Sequence, residues 1–164
     1  MGFGKHKAYT LEEARKRMEA FCAYRERCHQ EVVTKLKSMR MIPEAIDAIV
    51  VHLIEGGFLS EERFASAFAR GKLRQKGWGK IRIRRELKQR EISEYLIKKA
   101  LRGIASETYG QVFKDISEKR WGQLAGEADR QIKLRKFTDY LLYRGWEFDQ
   151  ILQKAKELEK KAPG

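Results

Sequence analysis

One stretch of the chain concentrates the side chains that could bind a charged partner. Over residues 70–90, ten side chains are basic and only Glu86 is acidic. The planar guanidinium group of arginine can hold a phosphate or a carboxylate through two parallel hydrogen bonds. Several of these cations stand four residues apart, a spacing at which like charges cost a helix roughly 0.2–0.5 kcal/mol per pair. The pattern therefore indicates an anionic partner that offsets this repulsion, with a solvated charged face as the alternative.

Trp78 lies inside this basic stretch, between Gly77 and Gly79. An aromatic ring among cations can stack on the bases of single-stranded nucleic acid. A large aromatic side chain can also fill the junction between two helices and bury most of its surface there. We favour the junction and keep the stacking platform as the alternative interpretation.

Residues suited to catalysis or metal binding do not form a constellation. The three histidines lie far apart in the sequence. Cys22, Cys28 and His29 lack the spacing of a zinc site, and no second pair of ligands follows them. Residues 77–80 lack the spacing of a phosphate-binding loop. We therefore expect a protein that is not an enzyme and has no metal or cofactor, and we interpret the two cysteines as structural thiols.

The charge balance of the whole chain is strongly basic. The net charge is +13 and the pI is about 9.8, and such a field attracts phosphates, acidic protein faces or anionic membranes. No segment has the roughly 18 uninterrupted apolar residues of a membrane-spanning helix. The N-terminus lacks the apolar core of a signal peptide. We therefore expect a cytoplasmic protein that does not bind membranes.

The elements that position the basic stretch are predicted to be helices. Charged residues make up 36% of the chain and only two prolines occur, and a composition rich in Glu, Lys, Arg, Leu and Ala favours helix. Apolar residues recur at helical spacing in nine segments, which predicts an all-α fold. The predicted helix starts are residues that cap or begin helices well: Thr10, Pro43, Ser60, Ser93 and Ser106.

Nine helices in three sets of three suggest an internal repeat. Residues 40–43 (RMIP), 90–93 (REIS) and 144–147 (RGWE) align as an arginine, one spacer, a large apolar residue and a helix start. A leucine precedes each copy at nearly the same distance: Leu36, Leu87 and Leu141. A short three-helix unit cannot cover its own apolar faces, so stacked neighbours share a core. The pattern predicts three tandem three-helix repeats that form an elongated, curved array.

The predicted domain organisation follows from these helix starts and stops. An N-terminal tail covers residues 1–9, and the first repeat covers residues 10–57. The second repeat, which contains the basic stretch, covers residues 58–105. The third repeat and a C-terminal tail cover residues 106–164.

The segments on both sides of the basic stretch carry a recognisable signature. Residues 62–70 (ERFASAFAR), residues 82–87 (RIRREL) and residues 90–92 (REI) combine an acidic-Arg-Phe-Ala start, an Arg-Ile-x-x-Glu-Leu segment and a turn that ends in isoleucine. This combination resembles the central signature of the RecX family, and residues 53–59 (LIEGGFL) resemble that family's linker between its first two repeats. The resemblance is specific over about residues 40–104. The family usually has glycine where this chain has Glu91.

The resemblance implies both a fold and a partner. RecX-like proteins consist of three tandem three-helix repeats in a curved rod. They bind along the groove of the RecA recombinase filament and restrain its ATPase, strand-exchange and coprotease activities. The implied partner is the RecA filament on single-stranded DNA, with direct DNA contact left open, and we expect a monomer. The implied binding residues are the cations of the second repeat: Arg70, Lys72, Arg74, Lys80, Arg82, Arg84, Arg85 and Lys88.

Two other functions are compatible with the sequence. A helical module with basic helices could bind nucleic acid without any recombinase partner. A helical array could also bind proteins through one face without DNA. Binding to RecA, with and without single-stranded DNA, would separate a filament regulator from the nucleic-acid module, whereas salt dependence alone would not, because both interfaces are electrostatic. If charge reversal at Arg82, Arg84 and Arg85 left partner binding and inhibition of the RecA ATPase unchanged, the protein-binding array would be favoured.

Overall fold

The computed structural model describes residues 8–161 of the chain. Within this range the backbone forms nine α-helices and no strand, so the predicted all-α fold of three consecutive three-helix sets is confirmed. The predicted tails lie largely outside the described residues, which exclude 1–7 and 162–164. In chain order the helices are α1 (Leu11–Tyr24), α2 (His29–Ser38), α3 (Pro43–Glu55), α4 (Glu61–Lys76), α5 (Lys80–Gln89), α6 (Glu94–Arg102), α7 (Ser106–Gln123), α8 (Arg130–Tyr143) and α9 (Phe148–Lys161).

The first of two compact units contains the described residues up to Phe64 together with Arg90–Ile92. In this unit α3 packs against both α1 and α2. Pro43 suits the first turn of α3, where its missing N–H would have no helical partner. The core of the unit is a set of buried side chains from α1, α2, α3 and the segments beside them: Ala14, Met18, Cys22, Val32, Leu36, Met39, Ile46, Ile49, Leu53 and Leu59.

The second unit contains Ala65–Gln89 and the described residues from Ser93 onward. In it α5 packs against α6, and α7, α8 and α9 pack against one another. The three tryptophans of the chain all belong to this unit: Trp78, Trp121 and Trp146. The predicted repeat boundaries at residues 57 and 105 remain predictions, because packing places the second and third sets of helices largely within one unit.

Trp146 is fully buried in the second unit. Its ring centroid lies 4.7 Å from that of Tyr109 and 5.1 Å from that of Phe113. Its indole Nε1–H donates a 2.9 Å hydrogen bond to the carbonyl oxygen of Gly77. Because this donor is satisfied, the ring can be buried without the cost of an unpaired polar group. Trp146 therefore joins the loop before α5 to the turn after α8.

The same loop and turn also meet backbone to backbone. Gly79 N–H donates a 2.8 Å hydrogen bond to Arg144 O, and Ile81 N–H donates a 3.1 Å bond to Gly145 O. A Cβ at Gly79 would lie 2.4 Å from Gly145 O, and a Cβ at Gly145 would lie 2.3 Å from the backbone nitrogen of Arg82. Neither clash can be relieved by rotating a side chain. Both positions therefore require glycine.

The turns that end α2, α5 and α8 share one backbone geometry. Each contains a residue with positive φ: Arg40 at 60°, Glu91 at 59° and Gly145 at 90°. Each of the three stands four positions after one of the aligned leucines. The predicted alignment of Arg40 with Arg90 and Arg144 is therefore wrong by one residue, because the left-handed residue, and not the arginine, marks the equivalent position.

Side-chain caps begin several of the helices. Three predicted caps are confirmed by backbone N–H groups that donate to their hydroxyl oxygens: Thr10, Ser60 and Ser93. The predicted cap at Ser106 is wrong, because Ser106 is the first helical residue and Ala105 occupies the cap position without a side-chain bond. Asp129, which the sequence analysis missed, caps α8 by accepting from two backbone N–H groups at 2.9 and 3.2 Å.

Candidate anion-binding surface

The eight predicted binding residues lie on two helices of the second unit. Three belong to α4 and five to α5: Arg70, Lys72 and Arg74, then Lys80, Arg82, Arg84, Arg85 and Lys88. Helix α5 buries Ile83 and Leu87 completely. Successive residues of a helix point about 100° apart, so the five cations of α5 cannot all share the solvent side. They divide into cations with partners inside the unit and cations that face solvent.

Arg82 is held by the second unit itself. Its guanidinium carbon lies 4.2 Å from the centroid of Trp78 and 4.8 Å from that of Tyr143. Its Nη1–H donates a 3.3 Å hydrogen bond to Tyr143 O, and its Nε lies 4.0 Å from a carboxylate oxygen of Glu86. Only 17% of its side chain is exposed. Arg82 therefore connects α5 to α8, and its guanidinium has little surface left for a partner.

Arg84 and Lys80 are engaged as well. Arg84 forms an ion pair with Glu94, the first residue of α6. The ammonium of Lys80 lies 4.7 Å from the ring centroid of Tyr109, a cation–π distance. The charge of Lys80 has no opposing charge in this contact, so it still contributes to the field around the unit.

The cations of α4 differ in a similar way. Lys72 Nζ lies 5.4 Å from the ring centroid of Phe68 and 5.3 Å from that of Trp78. The two rings meet edge to face with their centroids 6.2 Å apart. Arg70 donates a 2.8 Å hydrogen bond to the hydroxyl of Ser66, one helical turn earlier. Trp78 thus packs among side chains of α4 and α5, and this packing supports the helix-junction interpretation.

Four of the eight cations are exposed, and Arg70 among them is bonded to Ser66. The other three are Arg74, Arg85 and Lys88, which we call the open cations. Within residues 8–161 none of them has an ion-pair, hydrogen-bond or aromatic partner. Arg85 lies on the side of α5 opposite the buried Ile83 and Leu87, as its position in the helical period requires. Exposed, unpaired cations of this kind can bind phosphate or carboxylate without first breaking a contact.

A partly buried hydroxyl, that of Tyr109, lies beside Lys80. Tyr109 Oη donates to both carboxylate oxygens of Glu147 at 3.0 and 2.9 Å, and it accepts a 2.9 Å hydrogen bond from the backbone N–H of Lys80. Burial and the nearby carboxylate raise the pKa of Tyr109 well above its ordinary value. The phenol therefore stays protonated and serves as a fixed structural link between α5, α7 and the start of α9.

Two further cations near this site were missed by sequence reasoning. Lys98 and Arg102 are exposed on α6, four residues apart and therefore on one face. They line a pocket together with Lys80 and Arg84. Their spacing was visible in the sequence, but their proximity to α5 depends on the packing of α5 against α6, which spacing alone cannot give.

Comparisons with known proteins identify the family. The family model described as "RecX, second three-helix domain" matches residues 60–101. "Regulatory protein RecX" of Pseudomonas savastanoi pv. phaseolicola is 34% identical over 129 residues, which cover 79% of this chain and 81% of that protein. The protein of the same name from Pseudomonas fluorescens Pf-5 is 33% identical over 143 residues, 87% of this chain and 89% of that protein. The chain belongs to the RecX family.

Solved RecX structures share the fold. A crystal structure described as regulatory protein RecX superposes with a TM-score of 0.77 at 22% identity and covers 90% of this chain and 71% of that chain. RecX from Lactobacillus salivarius superposes with a TM-score of 0.74 at 19% identity, over 89% of this chain and 96% of that chain. These likenesses support the predicted RecX fold of three-helix repeats.

The RecX signature consists largely of packing residues. Phe64, Leu87 and Ile92, which belong to its motifs, are exposed by 3%, 0% and 4%. The signature therefore identifies the fold of the second repeat more directly than it identifies binding residues. In agreement with this, five of the eight cations taken from the resemblance have partners inside the second unit.

Other chemistry has little support in the described part of the chain. Cys22 and Cys28 are buried free thiols, and burial raises the pKa of both, which disfavours the reactive thiolate. Among residues 8–161, no three His, Cys, Asp or Glu side chains are grouped so as to hold a metal ion. No helix in that range is long and apolar enough to cross a membrane.

Proposed function

We propose that this chain is a non-enzymatic regulator of the RecA recombinase that binds the RecA filament on single-stranded DNA. Membership of the RecX family supports the choice of partner. By this proposal the chain works in the cytoplasm as a monomer. Its binding restrains the ATPase, strand-exchange and coprotease activities of the filament.

The open cations carry the proposal at the level of residues. A filament of protein on DNA presents both phosphates and carboxylates, and an exposed guanidinium can bind either through two hydrogen bonds. Arg74, Arg85 and Lys88 have no partner among residues 8–161 that such an anion would have to displace. In contrast, Arg82 and Arg84 would lose contacts inside the unit. We therefore assign most of the binding energy to the open cations, and less to Arg70, Lys72, Lys80, Arg82 and Arg84.

The direct test is RecA-dependent ATP hydrolysis on single-stranded DNA, titrated with this protein. The test variant reverses the open cations: Arg74→Glu, Arg85→Glu and Lys88→Glu. The control reverses three exposed lysines outside the proposed surface, with the same change in net charge: Lys35→Glu, Lys37→Glu and Lys156→Glu. We expect the test variant to need at least about tenfold more protein for half inhibition, because each lost charge-assisted contact is worth over 1 kcal/mol, while the control stays near wild type.

The result that contradicts this assignment is equal inhibition by the test variant and wild type. If wild type does not bind RecA with or without single-stranded DNA, but does bind naked nucleic acid, the chain is the nucleic-acid module named as the alternative. If wild type binds RecA and both variants lose inhibition equally, net charge and not the open cations determines binding.

A further inference from the structure

The second unit contains a cleft whose described lining residues do not include the open cations. It has a volume of about 460 Å³, within the range of ligand-binding pockets. Side chains of α5 and α6 form most of its lining, and Glu147, the residue before α9, completes it. Because α5 packs against α6 in this unit, the cleft is part of a built surface and not a gap beside a loop.

The rim of the cleft is cationic. Glu147 contributes a carboxylate to the lining. Four basic side chains also line the cleft: Lys80, Arg84, Lys98 and Arg102. Arg84 is paired with Glu94 and Lys80 lies over the Tyr109 ring. Lys98 and Arg102 are exposed and have no partner within residues 8–161. The rim therefore favours a ligand with more than one negative charge.

Two aliphatic side chains line the cleft. Ile81 and Leu101 contribute apolar surface there. Ile81 is 49% exposed although it is a large apolar side chain, whereas Leu101 is 6% exposed. The stems of the surrounding lysines and arginines extend the apolar surface. An exposed apolar side chain encircled by charged groups is typical of a site that receives an apolar group from a partner.

The start of α5 offers little to an anion through its backbone. The N–H of Lys80 already donates to Tyr109 Oη, and the N–H of Ile81 donates to Gly145 O. An anion in the cleft must therefore be bound by side chains, which can reach carboxylates at several positions around a central apolar group.

We propose that the cleft binds an acidic protein segment that inserts one aliphatic side chain between flanking aspartates or glutamates. The aliphatic side chain packs on Ile81 and Leu101, and the carboxylates bind Lys98 and Arg102. Glu147 can accept a hydrogen bond from a peptide N–H, a donor that a phosphodiester backbone lacks. Among the residues that the structure describes, no aromatic side chain lines the cleft. Unpaired bases bind mainly by stacking on such rings, so single-stranded nucleic acid fits the cleft less well.

This inference rests on the proposed function only for the source of the segment, which would be a protein of the recombinase filament. The chemistry of the segment stands on the cleft alone. The cleft would then add a contact to protein beside the contact of the open cations to anions of the filament.

The test measures fluorescence anisotropy with the full chain and three labelled probes. The first is a peptide of one leucine flanked on each side by two glutamates, and the second has serine in place of that leucine. The third is an oligothymidylate of the same net charge. We expect the leucine peptide to bind about fivefold or more tightly than the serine peptide, as burial of one aliphatic side chain allows, and more tightly than the oligothymidylate.

Two variants and a charge-matched control locate the binding. Lys98→Glu combined with Arg102→Glu should weaken binding of the leucine peptide by about tenfold or more. The control, Lys35→Glu combined with Lys37→Glu, makes the same charge change at exposed lysines of the first unit and should not weaken it. Ile81→Ser should remove the preference for leucine over serine. Circular dichroism spectra that match wild type establish that the variants fold.

Three results would overturn the proposal: no peptide binding, equal binding of both peptides, or tighter binding of the oligothymidylate. The filament proposal can be judged separately by RecA ATPase inhibition. If the protein inhibits the RecA ATPase but does not bind the peptide, only the proposal for the cleft is refuted. If it binds the peptide but does not inhibit the ATPase, only the filament proposal is refuted.

Discussion

Arg82 and Arg85 stand three residues apart on α5 and have different surroundings. Arg82 lies against two aromatic rings, one of them Tyr143 on α8, whereas Arg85 faces solvent. Sequence spacing could predict that both belong to a basic helix. It could not predict the ring of Tyr143, which is 61 residues away in the chain. Whether an arginine is available to a binding partner or is held by intramolecular contacts therefore depends on neighbours that only the folded unit brings together.

The contrast between these arginines gives the first prediction. Arg82→Ala should lower the free energy of unfolding by about 1–2 kcal/mol, because it removes two cation–π contacts and a hydrogen bond from a mostly buried side chain. Arg85→Ala should change it by less than about 0.5 kcal/mol. Urea unfolding followed by circular dichroism measures both. Equal destabilisation by the two substitutions would refute the structural role of Arg82.

The partly buried phenol of Tyr109 makes stability depend on pH in the alkaline range. In the unfolded chain a tyrosine loses its proton near pH 10, whereas the folded state raises the pKa of Tyr109 and keeps the proton. Above about pH 10 the unfolded state therefore binds fewer protons than the folded state, and the free energy of unfolding falls by up to about 1.4 kcal/mol per pH unit from this group.

Tyr109→Phe tests this dependence. At neutral pH the substitution should cost about 1–3 kcal/mol, because Glu147 and the N–H of Lys80 lose their hydrogen-bond partner. Between about pH 9 and 11 the difference in unfolding free energy between wild type and variant should shrink as pH rises. Parallel curves over this range would contradict a Tyr109 phenol that stays protonated in the folded state.

At the scale of the elements, the sequence predicted where the helices occur. It did not predict that the loop before α5 and the turn after α8 are in contact. Helix composition and glycine stops were enough to find nine helices within the described range. The register of the repeat was misjudged at Arg40, because arginines were matched instead of left-handed residues. Glu91 adopts the left-handed conformation with φ 59° where the family usually has glycine, so backbone geometry at this turn is retained despite the different side chain.

The contact between the loop before α5 and the turn after α8 gives a prediction about glycine. Gly145→Ala should cost about 3 kcal/mol or more, because its Cβ would meet backbone atoms of Arg82 at 2.3 Å. Gly57→Ala is the matched control, because Gly57 also has positive φ but no atom lies near its Cβ. It should cost only about 1 kcal/mol from backbone strain. Thermal melting separates the two, and similar losses would mean that the close approach tolerates adjustment.

At the scale of the whole molecule, the net charge of +13 predicts binding that weakens with salt. Composition alone established this charge, and the resemblance assigned eight of the 36 basic residues to a binding surface on the second repeat. The sequence could not show that only some of those cations are available, because ion pairs such as that between Arg84 and Glu94 arise from helix packing. The effective binding charge is therefore smaller than the formal charge of the basic stretch.

The salt dependence of the binding constant reports how many cations of the protein contact phosphate. If the three open cations contact phosphates of filament DNA, their reversal should reduce the slope of log binding constant against log salt by about 2. The Lys35, Lys37 and Lys156 reversal should change the slope much less. Binding to RecA filaments on single-stranded DNA, measured at several potassium chloride concentrations, gives both slopes. An unchanged slope in the open-cation variant would mean that these residues contact protein and not phosphate.

The distribution of tryptophan over the two units has a spectroscopic consequence. All three indole rings belong to the second unit, and the first unit contains none. Tryptophan fluorescence, excited selectively near the long-wavelength edge of protein absorbance, thus reports on the second unit alone. Far-ultraviolet ellipticity averages over both units. Any separation between the two melting curves is a direct reading of how independently the halves lose their structure, obtained without a label or a truncated chain.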